Sequence, residues 1–297
     1  MGTPFLERIE RPKLDGYDAK LPCDKQSPDI PSGFIDAMSV REAVFVKEQG
    51  FPLEIEQDRD DRRSCHWVIY ASVKTTIEPE ERDPATNSVI RPRRSETKTL
   101  PIATLRVVPF PHDAHPTNGS RWVGGNLEYD RSDENRRPYG NNSTVGGTAI
   151  GSRARSGTDE ARLSINLPFG RDRPTDFHDG KEPYVKLGRV AVLSEYRGLN
   201  IASQLWAAAK KWLQENPTFF NPTIRDLRLS VTPVTTDYNI PKWNGLVCVH
   251  AQEAIVEVYE RWGFKVDEAF GRFYEDGVPH VGMFQRLDIS SVDPQIS

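Results

Sequence analysis

Apolar residues are concentrated in short clusters along the chain, and long polar stretches separate these clusters. Residues 66–73 and 102–109 are rich in β-branched and aromatic side chains, which predicts two strands. Residues 184–193 form a nearly continuous apolar run, a pattern typical of a strand that is buried on both faces. The three clusters therefore predict a central sheet with residues 184–193 in its middle.

Helical periodicity appears in three places. A capping-box spacing between Ser39 and Glu42 predicts a short helix that ends at Gly50. Two longer stripes recur with the period of a helix: Ile201, Leu205, Ala208 and Trp212 in the first, and Ala251, Ile255, Val258 and Trp262 in the second. The first of these helices is predicted to stop at Asn216, just before a proline, and Gly263 is predicted to cap the second.

Further strands complete the pattern. Apolar residues alternate over residues 227–231 and predict one strand, and residues 264–266 and 281–287 predict two closing strands. Glu275-Asp276-Gly277 predicts the turn before the last strand. Strands interspersed with helices in this order predict an α/β or α+β fold with a mixed sheet and crossover helices.

A single domain is expected to contain these elements. The predicted division is an N-terminal extension at residues 1–33, a domain at residues 34–290 with insertions at about 75–99 and 111–183, and a C-terminal tail at residues 291–297. The second insertion holds ten of the 21 glycines, so we expect mostly loop there. A hairpin is predicted near residues 121–130.

Charge and hydropathy narrow the classes of partner. The formal net charge is only −4, from 39 basic and 43 acidic side chains, so the bulk field does not favour nucleic acid. No segment approaches the ~20 apolar residues of a membrane span, and the first residues lack the apolar run of a signal peptide. We therefore expect no membrane partner and a cytoplasmic location, with a nuclear location as the alternative.

The cysteines give no sign of a disulfide framework. Cys23, Cys65 and Cys248 are odd in number and far apart, which fits reduced thiols. No Cys and His residues have the spacing of a metal site, so we expect no metal cofactor.

The turn that follows the third strand has the chemistry of an anion site. A strand that leads directly into a helix presents unpaired N–H groups and the positive end of the helix dipole, which together favour phosphate. Gly198 allows close approach of a ligand, Asn200 tolerates a left-handed conformation, and Arg197 adds positive charge. Taken alone, an ordinary polar connection is the alternative. The absence of a Walker lysine and of G-x-G-x-x-G disfavours a nucleotide triphosphate or a dinucleotide.

Two stretches around these elements resemble signatures of one family. Residues 192–202, VLSEYRGLNIA, resemble motif A of the GCN5-related N-acetyltransferases, Arg/Gln-x-x-Gly-x-Gly/Ala after a strand, with Asn200 in the place of the second glycine. Residues 258–264, VYERWGF, are similar to the second signature, a helix that ends in Tyr-x-x-x-Gly-Phe. The resemblance covers about residues 34–74, 100–110 and 184–288.

The resemblance implies a fold, a cofactor and a reaction. It implies a splayed mixed sheet that binds acetyl-CoA and an amine that attacks the thioester directly. The N–H of Val192, or of its neighbours Val190 and Ala191, would polarise the carbonyl, and Tyr259 would protonate the leaving thiolate. The coenzyme A contacts that it implies are Val190, Ala191, Val192, Arg197, Gly198, Leu199, Asn200, Ile201, Ala202, Ser203 and Gln252.

The acceptor is expected to be a primary amine of a small metabolite. Freeing a lysine amine at neutral pH costs about 4.6 kcal/mol, whereas an α-amino group costs about 1.4 kcal/mol, so the need for a base depends on the acceptor. The candidate substrate residues are Glu48, His66 and His280, with Asp58 and Asp61 as further candidates for the base. The spacing of these residues does not choose among them.

Two other functions stay open from the sequence. Residues 41–66 also resemble the start of acyl-homoserine-lactone synthases, which share the fold, so a longer acyl donor is one alternative. Arg197-Gly198 and Tyr259 favour coenzyme A over a carrier protein as donor. A non-catalytic regulator that binds coenzyme A is the other alternative.

Overall fold

A large mixed sheet forms the centre of the protein. The computed structural model describes residues 5–128, 172–222 and 241–289. Its strands are β1 (Phe5–Glu10), β2 (Cys65–Glu78), β3 (Glu81–Arg82), β4 (Val89–Arg91), β5 (Arg94–Val108), β6 (Arg121–Val123), β7 (Asn126–Leu127), β8 (Val185–Val192), β9 (Leu246–Gln252), β10 (Lys265–Val266), β11 (Arg272–Glu275) and β12 (Val278–Arg286). The α-helices are α1 (Ser32–Arg41), α2 (Ile201–Glu215) and α3 (Val256–Arg261).

The sheet order places the third predicted strand in the middle. The strands run β1-β2-β5-β8-β9-β12-β11-β6-β7, with β10 also paired to β12. Two neighbouring pairs, β8–β9 and β11–β6, are parallel, and the other pairs are antiparallel. The predicted mixed fold is confirmed, and the predicted strand at residues 227–231 lies outside the described residues.

Helix α2 packs onto the sheet with a face that differs in part from the predicted one, because Ala208 and Trp212 of the predicted stripe are only half-buried. Ile201, Leu205, Ala209 and Leu213 recur at helical spacing and are buried against strand residues such as Leu105 and Leu187. Burial of a leucine-sized side chain contributes about 2 kcal/mol. The helix stops at Glu215, so the end predicted from Asn216-Pro217 is confirmed.

The first predicted helix starts earlier than its capping-box spacing suggests. Helix α1 begins at Ser32 and continues as a π-helical segment, Glu42–Glu48. Ser39 lies inside α1, where its hydroxyl donates a hydrogen bond to the carbonyl of Asp36 instead of capping the helix. The reason is packing, because Phe34 and Met38 upstream are fully buried and extend the apolar face.

The second predicted helix was assigned too many residues. Ala251 lies in β9, opposite Val281 of β12, and helix α3 covers only Val256–Arg261. Val247, Val249 and Ala251 are buried in the core that β8 and β12 share, so sheet pairing outweighs the helical spacing. Gly263 ends the helix with φ +95°, as predicted.

The predicted N-terminal extension and the first predicted insertion both contribute strands to the central sheet. Residues 5–10 pair in register with β2 and form an edge of the sheet. The predicted insertion at 75–99 extends β2 and β5 into a long hairpin whose pairing reaches Glu78 and Arg94, with β3 and β4 between the two strands. The turn predicted at Glu275-Asp276-Gly277 and the hairpin near residue 121 are confirmed by β11–β12 and β6–β7. The domain limits stay a prediction.

Two buried histidines join the described ends of the predicted insertion at 111–183. His115 Nε2 lies 2.8 Å from His178 Nδ1, and His178 Nε2 donates to the carbonyl of Glu182 at 2.9 Å. The backbone N–H of His115 donates to Asp172 at 2.8 Å. His115, Asp172 and His178 also have the composition of a metal-ligand group. These hydrogen bonds give the histidine rings a structural role in fastening the two ends together.

The three cysteines are all free thiols, as the sequence predicts. None of the helices in the described parts of the chain is both long and apolar enough to span a bilayer.

A buried ion-pair network fixes the loop between α1 and β2. Arg41 is fully buried and donates to Glu56 at 2.6 Å and to Asp61 at 2.7 Å. Arg106 of β5 also donates to Asp61 at 2.7 Å, and it pairs with Asp58. Although burial alone would raise it, Arg41 and Arg106 hold the pKa of Asp61 well below its usual range. The network therefore stays ionised at neutral pH.

The burial of His66 beside this network predicts that the folded protein loses stability as the pH falls. Burial, with help from Arg41 and Arg106, lowers the pKa of His66 from 6.5 to about 4, although Asp61 acts in the opposite direction. Between these values the unfolded chain binds a proton that the folded chain does not, so stability falls as the pH drops. We expect His66 to contribute a loss of about 3 kcal/mol between neutral pH and pH 4. Urea unfolding against pH checks this, and His66→Gln should flatten the slope; an unchanged slope would contradict it.

Candidate active site

A cleft opens where β8 and β9 separate. The two strands pair only from Val185 to Leu187 with Val247 to Val249, whereas β8 continues to Val192 along β5. The space between them is a cavity of about 480 Å³, which we call the central cleft. Its walls carry side chains from the π-helical segment, β8, β9, α3 and β12, among them Glu48, Val190, Gln252, Tyr259 and His280.

A bulge in β8 accompanies this separation. The register between β5 and β8 shifts between Thr104 and Arg106, and Arg189 has φ +50°. A left-handed conformation at a non-glycine residue costs about 1–3 kcal/mol and needs support from its surroundings. The Arg189 guanidinium lies 3.3 Å from both Glu56 and Asp58. The buried ion-pair network therefore reaches the strand that shapes the cleft.

The backbone N–H of Val192 faces the cleft side of β8. Val192 lies opposite Ala103 of β5, and the next residue, Leu193, donates its N–H to Ile102 at 2.9 Å. Successive residues of an antiparallel strand point their N–H groups to alternate sides. The N–H of Val192 consequently points away from β5 and into the cleft, while that of Ala191 points toward β5.

The turn with Arg197, Gly198 and Asn200, which we call the anion loop, has the expected backbone. Gly198 has φ +76° and Asn200 has φ +60°, so the predicted left-handed conformation of Asn200 is confirmed. Asn200 precedes the first turn of α2, and its carbonyl accepts the first helical hydrogen bond, from Gln204 at 3.1 Å. The N–H groups of Ile201, Ala202 and Ser203 belong to the first turn and have no intrahelical acceptor.

This loop lines a second cavity that adjoins the cleft. The cavity has a volume of about 330 Å³, and we call it the loop cavity. It shares with the central cleft the residues Val192, Arg197, Ala202, Val258 and Trp262. A long ligand can therefore lie along one path from the loop to the interior of the cleft.

Glu48, a predicted substrate residue, lies beside a predicted cofactor residue. Its carboxylate is 2.5 Å from Arg197, whose Nε donates to the carbonyl of Val192 at 3.0 Å. Across the cleft, Gln252 donates to Gln49 at 3.3 Å. The π-helical segment thus contacts both the anion loop and β9.

Tyr259 lies inside the central cleft. It is only 5% exposed, and its ring packs edge-on against Trp262 and Phe264 at 5.2 and 5.8 Å. Burial raises the pKa of Tyr259. The phenol is therefore protonated at neutral pH and retains a proton to donate.

The structure brings only one of the two predicted histidines to the cleft. His66 is fully buried, donates from Nε2 to the carbonyl of Asp61 at 3.0 Å and lines none of the cavities described here, so its predicted contact with substrate is not supported. Its place is in the core, against α1 and the ion-pair network. His280 of β12 lines the central cleft.

Three polar residues that sequence reasoning missed lie at the far end of the cleft. Lys186, His250 and Glu275 line both the central cleft and a neighbouring cavity of about 430 Å³, which we call the outer cavity. The sequence does hold a signal for Lys186 and His250, because each is a polar residue that interrupts an apolar strand. Their proximity follows from the β8–β9 register, which places Lys186 opposite Cys248.

Comparisons with known proteins agree with the strand–loop–helix arrangement. Residues 161–221, which include β8, the anion loop and α2, match the model of the acetyltransferase (GNAT) family. No curated protein sequence matches this chain.

Several solved structures align with most of this chain at low identity. A candidate N-acetyltransferase from Lactobacillus plantarum is 18% identical with a TM-score of 0.41, and the alignment covers 95% of this chain and 99% of that protein's chain. ElaA from Escherichia coli is 15% identical with a TM-score of 0.41, over 96% of this chain and 100% of its own. An acyl-CoA N-acyltransferase from Pseudomonas aeruginosa is 14% identical with a TM-score of 0.41, over 95% and 99%.

Similarities of that size say nothing about what this chain binds or transforms. The family match is different, because it falls on the strand, loop and helix that form the cleft and its anion loop. The family predicted from the two signatures is also the family whose model matches residues 161–221.

Proposed function

We propose that this protein is an acetyl-CoA-dependent N-acetyltransferase that acts on a primary amine of a small metabolite. The observation that carries the proposal is that the cavity at the anion loop adjoins the cleft that Tyr259 lines, at the opening between β8 and β9. This arrangement suits a ligand with a charged diphosphate at one end and a reactive thioester at the other.

The anion loop is the proposed site of the diphosphate. The N–H groups of the first turn of α2 and the positive end of its dipole favour a negative ligand. Arg197 is half exposed and paired with Glu48, so it can turn toward a phosphate. The pantetheine arm would then lie along Val190 and Val192, where β8 has no strand partner on the cleft side.

The reaction needs an oxyanion donor and a proton donor in the cleft. The amine nitrogen attacks the thioester carbonyl, and the N–H of Val192 stabilises the developing oxyanion. The tetrahedral intermediate then breaks its C–S bond, Tyr259 donates its proton to the sulfur, and the phenolate regains a proton from the nitrogen of the new amide. The products are the acetylated amine and coenzyme A, and an acceptor that starts as an ammonium releases one proton to solvent before the attack.

A thiol-release assay tests the proposal. Amino sugars, polyamines, amino acids and a lysine peptide are offered with acetyl-CoA, and the assay is repeated with longer acyl-CoA donors. Release of coenzyme A that depends on both acetyl-CoA and an amine supports the proposal. A preference for longer donors would favour the acyltransferase or lactone-synthase alternative. Binding of coenzyme A without release by any amine would favour the regulator.

Tyr259→Phe tests the role of the phenol. The variant keeps the ring packing against Trp262 and loses only the hydroxyl, so we expect kcat to fall about 10²-fold or more with little change in coenzyme A affinity. Stopped-flow thiol release and calorimetry measure the two quantities. A variant that turns over as fast as the parent protein would contradict the assigned role.

A further inference from the structure

A cluster of four polar side chains closes the far end of the central cleft. The carboxylate of Glu275 lies between two histidines, with Oε1 2.6 Å from His250 Nδ1 and Oε2 3.9 Å from His280 Nε2. Lys186 Nζ is 2.9 Å from the same nitrogen of His250. All four line the cleft, so a bound acceptor can reach them.

The hydrogen bonds of His280 define what its free nitrogen can do. Its Nδ1 is 2.9 Å from the carbonyl of Val278, which can only accept, so Nδ1 carries the proton. In its neutral form the ring therefore presents an unprotonated Nε2 to the carboxylate oxygen of Glu275. Two acceptors 3.9 Å apart cannot bond to each other. They leave a position that a donor nitrogen fills at ~2.9 Å from both.

Glu275 is charged in this setting. Although burial alone would raise it, His250 and Lys186 hold the pKa of Glu275 well below its usual range. Its Oε1 is taken by His250, which fixes the carboxylate and leaves Oε2 for a ligand. An ammonium group meets both a negative charge and a proton acceptor at this point.

Lys186 adds a second feature. Each arginine that lines the central cleft has a carboxylate partner: Arg106 pairs with Asp58, Arg189 with Glu56 and Asp58, and Arg197 with Glu48. Lys186 has no carboxylate of the described residues within ion-pair distance, and its recorded contact is with a histidine. Glu275 acts on Lys186 through space, but a cation with no direct ion pair in a ligand cavity favours an anionic group on the ligand.

We propose that the acceptor is a small amine that also carries an anionic group such as a carboxylate. Its ammonium binds between Glu275 Oε2 and His280 Nε2, and its anionic group binds Lys186 Nζ. His280 Nε2 takes one proton from the ammonium, and the neutral amine then attacks the thioester. This assignment rests on the proposed N-acetyltransferase function and names its substrate class.

Matched amines test the substrate class. An amino acid, its amide and the amine that lacks the carboxylate are compared in the thiol-release assay. We expect kcat/KM to be highest for the amino acid. It should drop at least ~10-fold for the two analogues that lack the carboxylate charge, because a charged hydrogen bond to Lys186 is lost. Lys186→Met should remove most of that preference, whereas Lys211→Met, on the exposed face of α2, should not change it.

Two further variants test the amine site. Glu275→Gln should raise KM for the amine ~10- to 100-fold. His280→Gln should lower kcat and remove the ionisation of the base from the pH profile of kcat/KM; the charged neighbours Glu275, His250 and Lys186 remain in that variant. Coenzyme A affinity and thermal midpoint serve as controls for folding. Unchanged amine kinetics in both variants would overturn the proposal and leave the acetyltransferase function standing.

A binding measurement separates the two hypotheses if no amine supports turnover. Calorimetry with the coenzyme A-loaded protein then asks whether the same amino acids bind. Binding that Glu275→Gln and Lys186→Met abolish would support the site although the acetyltransferase function fails. No binding by any amine that carries an anionic group would overturn the site.

Discussion

Replacing Asp61 with asparagine is expected to reduce the free energy of unfolding by about 3–5 kcal/mol, since it removes the charge shared by two buried cations. Arg41 is fully buried and the Arg106 side chain is only 8% exposed. Both donate to the same oxygen of Asp61 at 2.7 Å. A domain of this kind is stable by only about 5–15 kcal/mol, so much of the margin would be lost.

Asp60 is the matched control for this prediction. It is the neighbouring residue, its side chain is 28% exposed, and it pairs with Arg63 near the surface. Such pairs contribute at most about 1 kcal/mol, so Asp60→Asn should be nearly neutral. Urea denaturation of the two variants at neutral pH makes the comparison. Equal losses in the free energy of unfolding for Asp61→Asn and Asp60→Asn would contradict the stabilising role of the buried network.

The network also links stability to the shape of the cleft. Glu56 bonds to Arg41 in the core and lies 3.3 Å from Arg189 in the β8 bulge. Arg189 is the residue whose left-handed conformation accompanies the separation of β8 from β9. A loosened loop would leave the bulge without its counter-charges. Damage to this loop should therefore impair the cleft even where the protein still folds.

Local patterns predicted the parts of the site that lie close together in sequence. Helix α2 follows from its 3.6-residue period and its proline stop, and the loop before it follows from the conformational freedom of Gly198 and Asn200. Strand β9 is not predicted from the sequence, because Ala251 fits a helical stripe as well as a buried strand. Tertiary pairing decides between those two patterns.

Polar contacts between distant segments left no comparable signal. Asp61 meets Arg106 across 45 residues, and His250 meets Glu275 across 25. Each contact depends on strand register and on which side of the sheet a residue faces, and neither is periodic in sequence. For this reason the sequence pattern does not indicate that His66 is buried in the core or that Lys186 lines the central cleft.

Replacing Gly198 with valine is expected to weaken coenzyme A binding by at least ~100-fold, which corresponds to about 2.7 kcal/mol. Gly198 has φ +76°, a region that costs a β-branched residue more than 1 kcal/mol. A Cβ at this position meets no protein atom within 4 Å, so the side chain would project into the space where the diphosphate is proposed to bind. Calorimetric titration of coenzyme A measures the loss.

Two controls separate the ligand clash from backbone strain. Gly16→Val introduces the same residue at φ +88°, also with no atom within 4 Å, at a position that lines none of the three cavities. It should lower the thermal midpoint about as much as Gly198→Val and leave coenzyme A binding intact. Asn200→Gly preserves the left-handed conformation and should also bind. If Gly198→Val bound coenzyme A as tightly as Gly16→Val, the diphosphate would have to lie somewhere other than the turn before α2.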